Sequence, residues 1–371
     1  MKLAIIRRQY TPTGGAELYL ERLLNALAEG GHEIHLFWES WKGSREGIDI
    51  HPLNAGGSRA TRVPRFAEAV QGALAQFTCD CVFSLERTFV QDVYRAGDGL
   101  HKVWLRQRRK YAPWWRRAFV GLGGFHREML NLELRMLTPE RTGCIIVNSD
   151  MVRREIVKEY GYPEDRIHLV RNGIDVGRFQ GGDRAGTRLR YGVKEEEWLI
   201  LFVGSGLERK GFSHLLKPLR QLNLWLARGS VPVPYKRARL LVVGKDRPPE
   251  ADGGEIIFAG PMRDVQNAYA AADIFTLLPI YEPSSNVVSE ALACGLPVLT
   301  SGCNGAGELI CEGVNGNVVL EPSDHHSVSQ HLQNWISHPR RCAPDLDHLS
   351  ITRNVSATLE ILQKAARAKG L

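Results

Sequence analysis

Trp198-Leu-Ile-Leu-Phe-Val203 is a run of six apolar residues with no polar residue among them. A strand that shows one face to water alternates polar and apolar side chains. A continuous apolar run of this length therefore belongs to a strand covered on both faces, as in a parallel sheet flanked by helices. Comparable short runs recur along the whole chain. Strands are predicted near 2–7, 33–38, 48–52, 80–85, 93–96 and 143–148, with helices near 16–29, 64–77, 115–137 and 149–160. The second half predicts strands near 166–170, 198–203, 239–243, 255–259, 273–278, 296–300 and 317–320. Its helices fall near 211–227, 263–271, 285–294, 304–311 and 324–337, and a last amphipathic helix falls near 350–368. This βαβα order gives the fold class: α/β, with doubly wound parallel sheets.

At 371 residues the chain is long enough for two independent cores. The polar, glycine-bearing stretch from Asn172-Gly173-Ile174-Asp175 to Gly181-Gly182-Asp183 separates two complete α/β series and marks a boundary. The expected division is 1–172, 173–345, and a C-terminal helical segment 346–371 that returns to the first domain. No stretch repeats at a 20–50-residue period. The seven cysteines are odd in number and form no Cys-x-x-Cys pair, which favours buried free thiols in a reducing cytoplasm over a disulfide framework or a zinc site. No apolar run approaches the ~18–20 residues that span a bilayer.

Three segments carry chemistry. Tyr281-Glu282-Pro-Ser-Ser-Asn-Val-Val-Ser-Glu290 follows a predicted strand and opens a helix, with Pro283 placed in its first turn. The backbone N–H groups of Ser284 to Val287 are then expected to lie unpaired at a helix N-terminus, where phosphate binds readily. Glu282, ahead of the helix, and Glu290, two turns into it, are expected to reach different parts of one elongated ligand. An ordinary helix with one N-terminal and one surface acid fits the same spacing. Gly204-Ser-Gly206-Leu-Glu208-Arg209-Lys210-Gly211 follows the apolar strand, and its adjacent cations suit a diphosphate. It is neither a P-loop nor a GxGxxG sequence. Tyr10-Thr-Pro-Thr-Gly14-Gly15 comes directly after the first strand, where a nucleotide-type ligand usually lies in this class of fold.

Taken in order, Gly14-Gly15, Asn172-Gly173-Ile174-Asp175, Gly204…Arg209-Lys210-Gly211 and Glu282-x7-Glu290 with Gly295-x-Pro297-Val resemble glycosyltransferase family 4 over essentially the whole chain. Tyr10-x-Pro-x-Gly-Gly, Ser40-Trp41-Lys42-Gly43 and Gly97-Asp98-Gly99 look most like its lipopolysaccharide core glucosyltransferases. The resemblance implies the GT-B architecture, two Rossmann-like domains facing across a cleft, and a retaining, metal-independent hexosyl transfer. It implies that Arg209 and Lys210 grip the diphosphate of a nucleotide sugar and that Glu290 binds ribose hydroxyls. Glu282 would lie close to the transferred sugar. Gly14, Gly15, Asn172, Gly204, Ser285, Asn286 and Val287 would line the donor, and the main chain of Met262 and Arg263 would read the base. Asp98 would orient the acceptor or handle a proton, with His101 a second candidate; a plain turn aspartate fits Asp98 equally. No cofactor is implied beyond the co-substrate, with UDP-glucose as the first expectation and a lipopolysaccharide inner-core heptose as acceptor. The alternatives are the same chemistry on GDP-mannose with a lipid or polysaccharide acceptor, a nucleotide-sugar 2-epimerase, and an inactive scaffold.

The formal charge of +7 is local. Residues 99–118 hold Lys102, Arg106, Arg108, Arg109, Lys110, Arg116 and Arg117 with no acid, and the remaining 41 basic residues balance the 41 acidic ones. Trp104, Tyr111, Trp114 and Trp115 are interleaved with them. Such a stretch suits an anionic membrane surface, and with the family resemblance it equally suits a phosphorylated acceptor. A solvated helix with inward aromatics is the third reading. No nucleic-acid-binding pattern accompanies it. The expectation is a monomer, peripheral on the cytoplasmic face of a membrane. The one Asp-x-Asp, Asp345-Leu-Asp347, lies in a proline-flanked stretch and is not expected to bind metal.

Overall fold

The computed structural model describes residues 1–9, 15–40, 47–58, 61–229, 232–252, 254–342 and 347–369. The chain divides into two compact units, Met1–Gly173 with Ile351–Leu371, and Ile174–Ser350.

The first unit contains β1 (Lys2–Gln9), α1 (Gly15–Glu29), β2 (Glu33–Ser40), β3 (Ile48–Pro52), α2 (Arg62–Leu74), β4 (Cys81–Ser84) and β5 (Gln91–Arg95). It continues through α3 (His101–Tyr111), α4 (Gly124–Met136), β6 (Thr142–Val147), α5 (Asp150–Tyr160) and β7 (Ile167–Leu169). The seven strands form one sheet in the order β3-β2-β1-β4-β5-β6-β7, with parallel neighbours throughout. The order reverses between β1 and β4. Outside the carboxyl ends of strands at such a reversal, open α/β sheets bind their ligands.

The second unit contains α6 (Val176–Phe179), α7 (Arg184–Arg190), β8 (Glu197–Val203), α8 (Ser213–Ala227), β9 (Arg237–Val243), β10 (Ile256–Gly260) and α9 (Val265–Ala271). Then come β11 (Ile274–Leu277), α10 (Asn286–Ala293), β12 (Val298–Ser301), β13 (Gly316–Val319) and α11 (His325–Ser337). Its parallel sheet runs β10-β9-β8-β11-β12-β13, reversing between β8 and β11. Every residue of β8 is buried, which is why its sequence shows no alternation.

The last helix, α12 (Ile351–Lys369), belongs to the first unit. Ile351, Val355, Ile361 and Leu362 join the core built on β1, β2 and α1. Each such buried side chain contributes roughly 1.5–3 kcal/mol. Tyr19 and Thr358 are hydrogen-bonded through their hydroxyls, and Asn354 donates to the Arg171 carbonyl.

Three predicted elements need correction. The single helix expected over 115–137 is not formed. Instead α3 runs ahead of it, a 3-10 turn covers Arg117–Phe119, and α4 starts afresh at Gly124. Gly121 and Gly123, at φ 88° and 123°, break the chain between them. The helix expected over 304–311 is a short 3-10 turn, Gly305–Leu309. The helix expected from 285 begins at Asn286, so Pro283 lies before it rather than in its first turn.

Candidate functional site

At the reversal point of the second sheet, the segments after β8 and β11 come together. Arg209 and Lys210 lie in the turn between β8 and α8, and the Arg209 carbonyl accepts a hydrogen bond from Ile280 N at 3.0 Å. Gly211 closes this turn at φ 71°, and a Cβ there would stand 1.6 Å from the Leu278 carbonyl oxygen. Only glycine lets the turn seat itself against the end of β11. Gly204 makes a similar approach: its carbonyl oxygen lies 2.2 Å from where a Cβ on Gly244 would stand.

Glu282 is 8% exposed. Its backbone is pinned on both sides, N–H to the Cys303 carbonyl at 2.8 Å and C=O to Gly305 N–H at 2.9 Å. Its Oε2 lies 2.7 Å from Lys210 Nζ and 3.2 Å from Arg209 Nη1. Lys210 also reaches Ser285 Oγ at 3.4 Å. Lys210 is nearly covered while Arg209 is half-exposed. The structure thus gathers Arg209, Lys210, Glu282 and Ser285 into one charged cluster in which two cations meet a single carboxylate.

The helix N-terminus differs from expectation. Ser285 is the N-cap of α10, and its N–H is taken by Asn304 Oδ1 at 3.3 Å. Asn304, 3% exposed, also accepts from Ala306 N and donates to Thr300 Oγ1. The backbone donors from Ser284 to Val287 are therefore not all available to a ligand. Asn304 was not singled out in the sequence, because a lone Asn in a loop carries no pattern.

Glu290 is the fifth residue of α10, just over one turn in rather than two. Burial pushes its carboxyl up, opposed by a hydrogen bond from Tyr269 and by the nearby charges of Arg178 and Lys210. The Tyr269 hydroxyl donates to Glu290 Oε2 at 2.8 Å. Arg178 donates to the Arg263 carbonyl at 2.8 Å, so one main-chain acceptor of the Met262–Arg263 segment is occupied within the fold. Met262 Sδ accepts from the Tyr191 hydroxyl at 3.7 Å. Arg178, Tyr269 and Asn304 are the supports that local sequence reasoning missed.

In the first unit, Gly14 lies outside the described residues, as do Trp41, Lys42 and Gly43, and Gly15 opens α1. Asn172 Oδ1 accepts from Arg95 at 3.1 Å. Asp98 is exposed in the turn after β5. That turn is built by Arg87 and Glu133. Arg87 donates to Glu133 Oε1 at 3.1 Å and to the Gly99 carbonyl at 2.7 Å. Glu133, 1% exposed, also accepts from the N–H groups of His101 and Lys102 and from the Tyr160 hydroxyl at 3.0 Å. A carboxylate from α4 thereby caps the N-terminus of α3, where negative charge is favoured. His101 faces His126, Nε2 to Nδ1 at 3.0 Å, and burial, Arg87 and His126 bring its pKa down to about 4. It is a neutral imidazole at neutral pH.

The basic stretch is partly neutralised. Lys102 and Arg106 share Glu159. Arg109 donates to the Val120 carbonyl and Arg117 to that of Ala112. Arg108, Lys110 and Arg116 lie over the rings of Trp104, Tyr111 and Trp115. The aromatics do not all pack inward: Trp114 is 82% exposed, Phe119 70%, Leu122 68% and Trp115 52%.

Residues 13–178 match the family described as Glycosyltransferase Family 4, and residues 197–338 match Glycosyl transferases group 1. The lipopolysaccharide glucosyltransferase WaaG of Escherichia coli (strain K12) is 25% identical over 350 residues, covering 90% of this chain and 89% of that protein. A crystal structure of WaaG, a glycosyltransferase involved in lipopolysaccharide biosynthesis, is similar with a TM-score of 0.73 at 22% identity, covering 99% of this chain and 98% of the other. Anabaena Alr3699/HepE in complex with UDP and glucose is similar with a TM-score of 0.60 at 19% identity over 99% of each chain.

Proposed function

The chain belongs to glycosyltransferase family 4, with the GT-B fold and a relationship to lipopolysaccharide core glucosyltransferases, and on that premise we propose that it moves glucose from UDP-glucose onto an inner-core heptose of lipopolysaccharide with retention of anomeric configuration. The observation that carries this reading is the cluster of Arg209, Lys210 and Glu282 at the reversal of the second sheet. Breaking the anomeric C–O bond leaves negative charge on the nucleoside diphosphate and positive character on the sugar ring. Arg209 and Lys210 stabilise the first, doing the work a divalent cation does in other transferases. Glu282, once the diphosphate competes for its cations, supports the second. Glu290, oriented by Tyr269, accepts hydrogen bonds from the ribose hydroxyls. Asp98 acts on the acceptor side.

The name of the E. coli relative supports the lipopolysaccharide acceptor, and the UDP complex of the Anabaena protein supports the donor. No helix among the described residues is long and apolar enough to cross a membrane. We assign contact with the cytoplasmic membrane surface to the exposed wedge of Trp114, Trp115, Phe119 and Leu122 beside Lys110, Arg116 and Arg117. A second reading keeps the chemistry but uses GDP-mannose with a lipid or polysaccharide acceptor. The Arg263 carbonyl keeps a second lone pair beside the one Arg178 engages, so it does not distinguish the two bases.

The test is product analysis. The purified protein is incubated with UDP-glucose, UDP-galactose or GDP-mannose and lipopolysaccharide truncated after its heptoses. An α-linked glucose on heptose is the expected product. Transfer from GDP-mannose alone would replace the first reading with the second, and a free epimer or no turnover would remove both.

A further inference from the structure

At the β3 edge of the first sheet, four potential ligand side chains share one face. Glu33 and His35 alternate along β2, Asp49 and His51 along β3, and the parallel register sets His35 beside Asp49 and Phe37 beside His51. Side chains two apart on a strand point the same way, so all four stand on this face. His35 Nδ1 lies 2.9 Å from His51 Nε2 and 3.7 Å from Asp49 Oδ2. Nitrogen and oxygen ligands at the bond lengths of a zinc-type ion stand about 2.9–3.6 Å apart for angles between square and trigonal. The His35–His51 spacing lies within this range and the His35–Asp49 spacing just beyond it, and Glu33, His35 and Asp49 each bring a ligand atom within 4.8 Å of the others. An ion on His35 Nδ1 needs the exposed Asp49 side chain to swing in toward His51.

The surroundings match as well. Glu33 Oε1 lies 2.8 Å from His35 Nε2 and holds the proton on that nitrogen, leaving the Nδ1 lone pair directed toward Asp49 and His51. A carboxylate behind a metal-binding imidazole has this orienting role in many sites. Lys2 in turn fixes Glu33 at 3.2 Å. The rings have an apolar wall: Phe37 stacks on His51 at 4.6 Å, and Phe77 meets His35 edge-on at 4.6 Å. Asp49 is exposed, and β3 is the edge strand, so an ion can enter from solvent.

We propose that His35 Nδ1, His51 Nε2 and Asp49 form a binding site for a divalent transition-metal ion of the zinc type, with Glu33 as the orienting carboxylate. Two imidazoles and one carboxylate suit zinc, cobalt or nickel better than calcium or magnesium. Without an ion, His51 donates Nε2–H to His35. On binding, its proton moves to Nδ1, and the metal takes the pair of lone pairs with no net change in protonation. The site stabilises the β2–β3 edge and shares no residue with the transfer machinery.

The untagged full chain, stripped with a chelator, is titrated with Co²⁺ while visible d–d absorption is followed, and with Zn²⁺ by calorimetry. One equivalent is expected to bind, with Zn²⁺ displacing Co²⁺. His51→Gln and Asp49→Asn should each weaken binding more than tenfold, and Glu33→Gln by about tenfold. Circular dichroism verifies that the variants are folded. Absence of stoichiometric binding, or affinity unchanged in His51→Gln and Asp49→Asn, would overturn the assignment and leave a hydrogen-bonded histidine pair only.

Discussion

The Lys210 ammonium stands 2.7 Å from the Glu282 carboxylate, at a position where the strand order of the second sheet reverses and both groups are largely withdrawn from water. A cation so placed is oriented before any ligand arrives, so it pays little reorganisation when charge develops on a leaving group. Lys210→Ala is therefore expected to lower kcat about 10²–10³-fold, the cost of removing one preorganised donor. Steady-state transfer kinetics with UDP-glucose measure it, and near-normal kcat with unchanged donor affinity would remove Lys210 from the mechanism.

Gly211 and Gly206 both have positive φ, 71° and 77°, but only Gly211 faces a backbone atom within reach of a Cβ. Gly206→Ala should cost only the left-handed backbone penalty of about 1–2 kcal/mol. Gly211→Ala should cost more, because the turn carrying Lys210 must also move away from Leu278, and it should impair transfer. Chemical denaturation beside an activity assay compares the two; equal stability losses would count against the close approach.

Glu133 serves four donors inside the first unit, whereas Glu159 pairs with two half-exposed cations. Removing Glu133 leaves the mostly covered Arg87 with the Gly99 carbonyl but without its carboxylate. Glu133→Ala is expected to destabilise by about 3–5 kcal/mol and Glu159→Ala by about 1 kcal/mol or less. Urea unfolding of the two variants should separate them clearly.

Burial and neighbouring charges lower both His101 and His214 to about 4, well below the ordinary 6.5. The unfolded chain therefore binds more protons between these values. Stability should be fully present above about pH 6.5 and fall as the pH drops toward 4. His214→Gln is expected to flatten the slope of unfolding free energy against pH in that window. An unaltered slope would mean that His214 does not titrate differently in the folded chain.

Trp114 and Trp115 are exposed beside Arg116 and Arg117. Flotation with vesicles containing anionic lipid should show binding that weakens as salt rises. Trp114→Ala with Trp115→Ala should reduce it about tenfold or more without loss of fold. Equal binding to neutral and anionic vesicles would argue against an electrostatic contribution.

The amino-acid sequence alone determined the strand-and-helix alternation, because the fully apolar composition of β8 and the amphipathic period of its neighbours are local physical signals. It also determined which residues carry charge and where glycine relieves the backbone. It misjudged the helix over 115–137, since Gly121 and Gly123 were outweighed by the surrounding apolar and basic residues. Tertiary structure decided what meets what. Lys210 and Glu282 are far apart in the chain and touch only because β8 and β11 are neighbours in the sheet. Asn304 occupies the Ser285 N–H, Tyr269 orients Glu290, and Glu133 reaches across from α4 to cap α3. Hydrogen bonds of this kind join residues whose separation along the chain carries no periodicity, so they become visible only when the strand order is known.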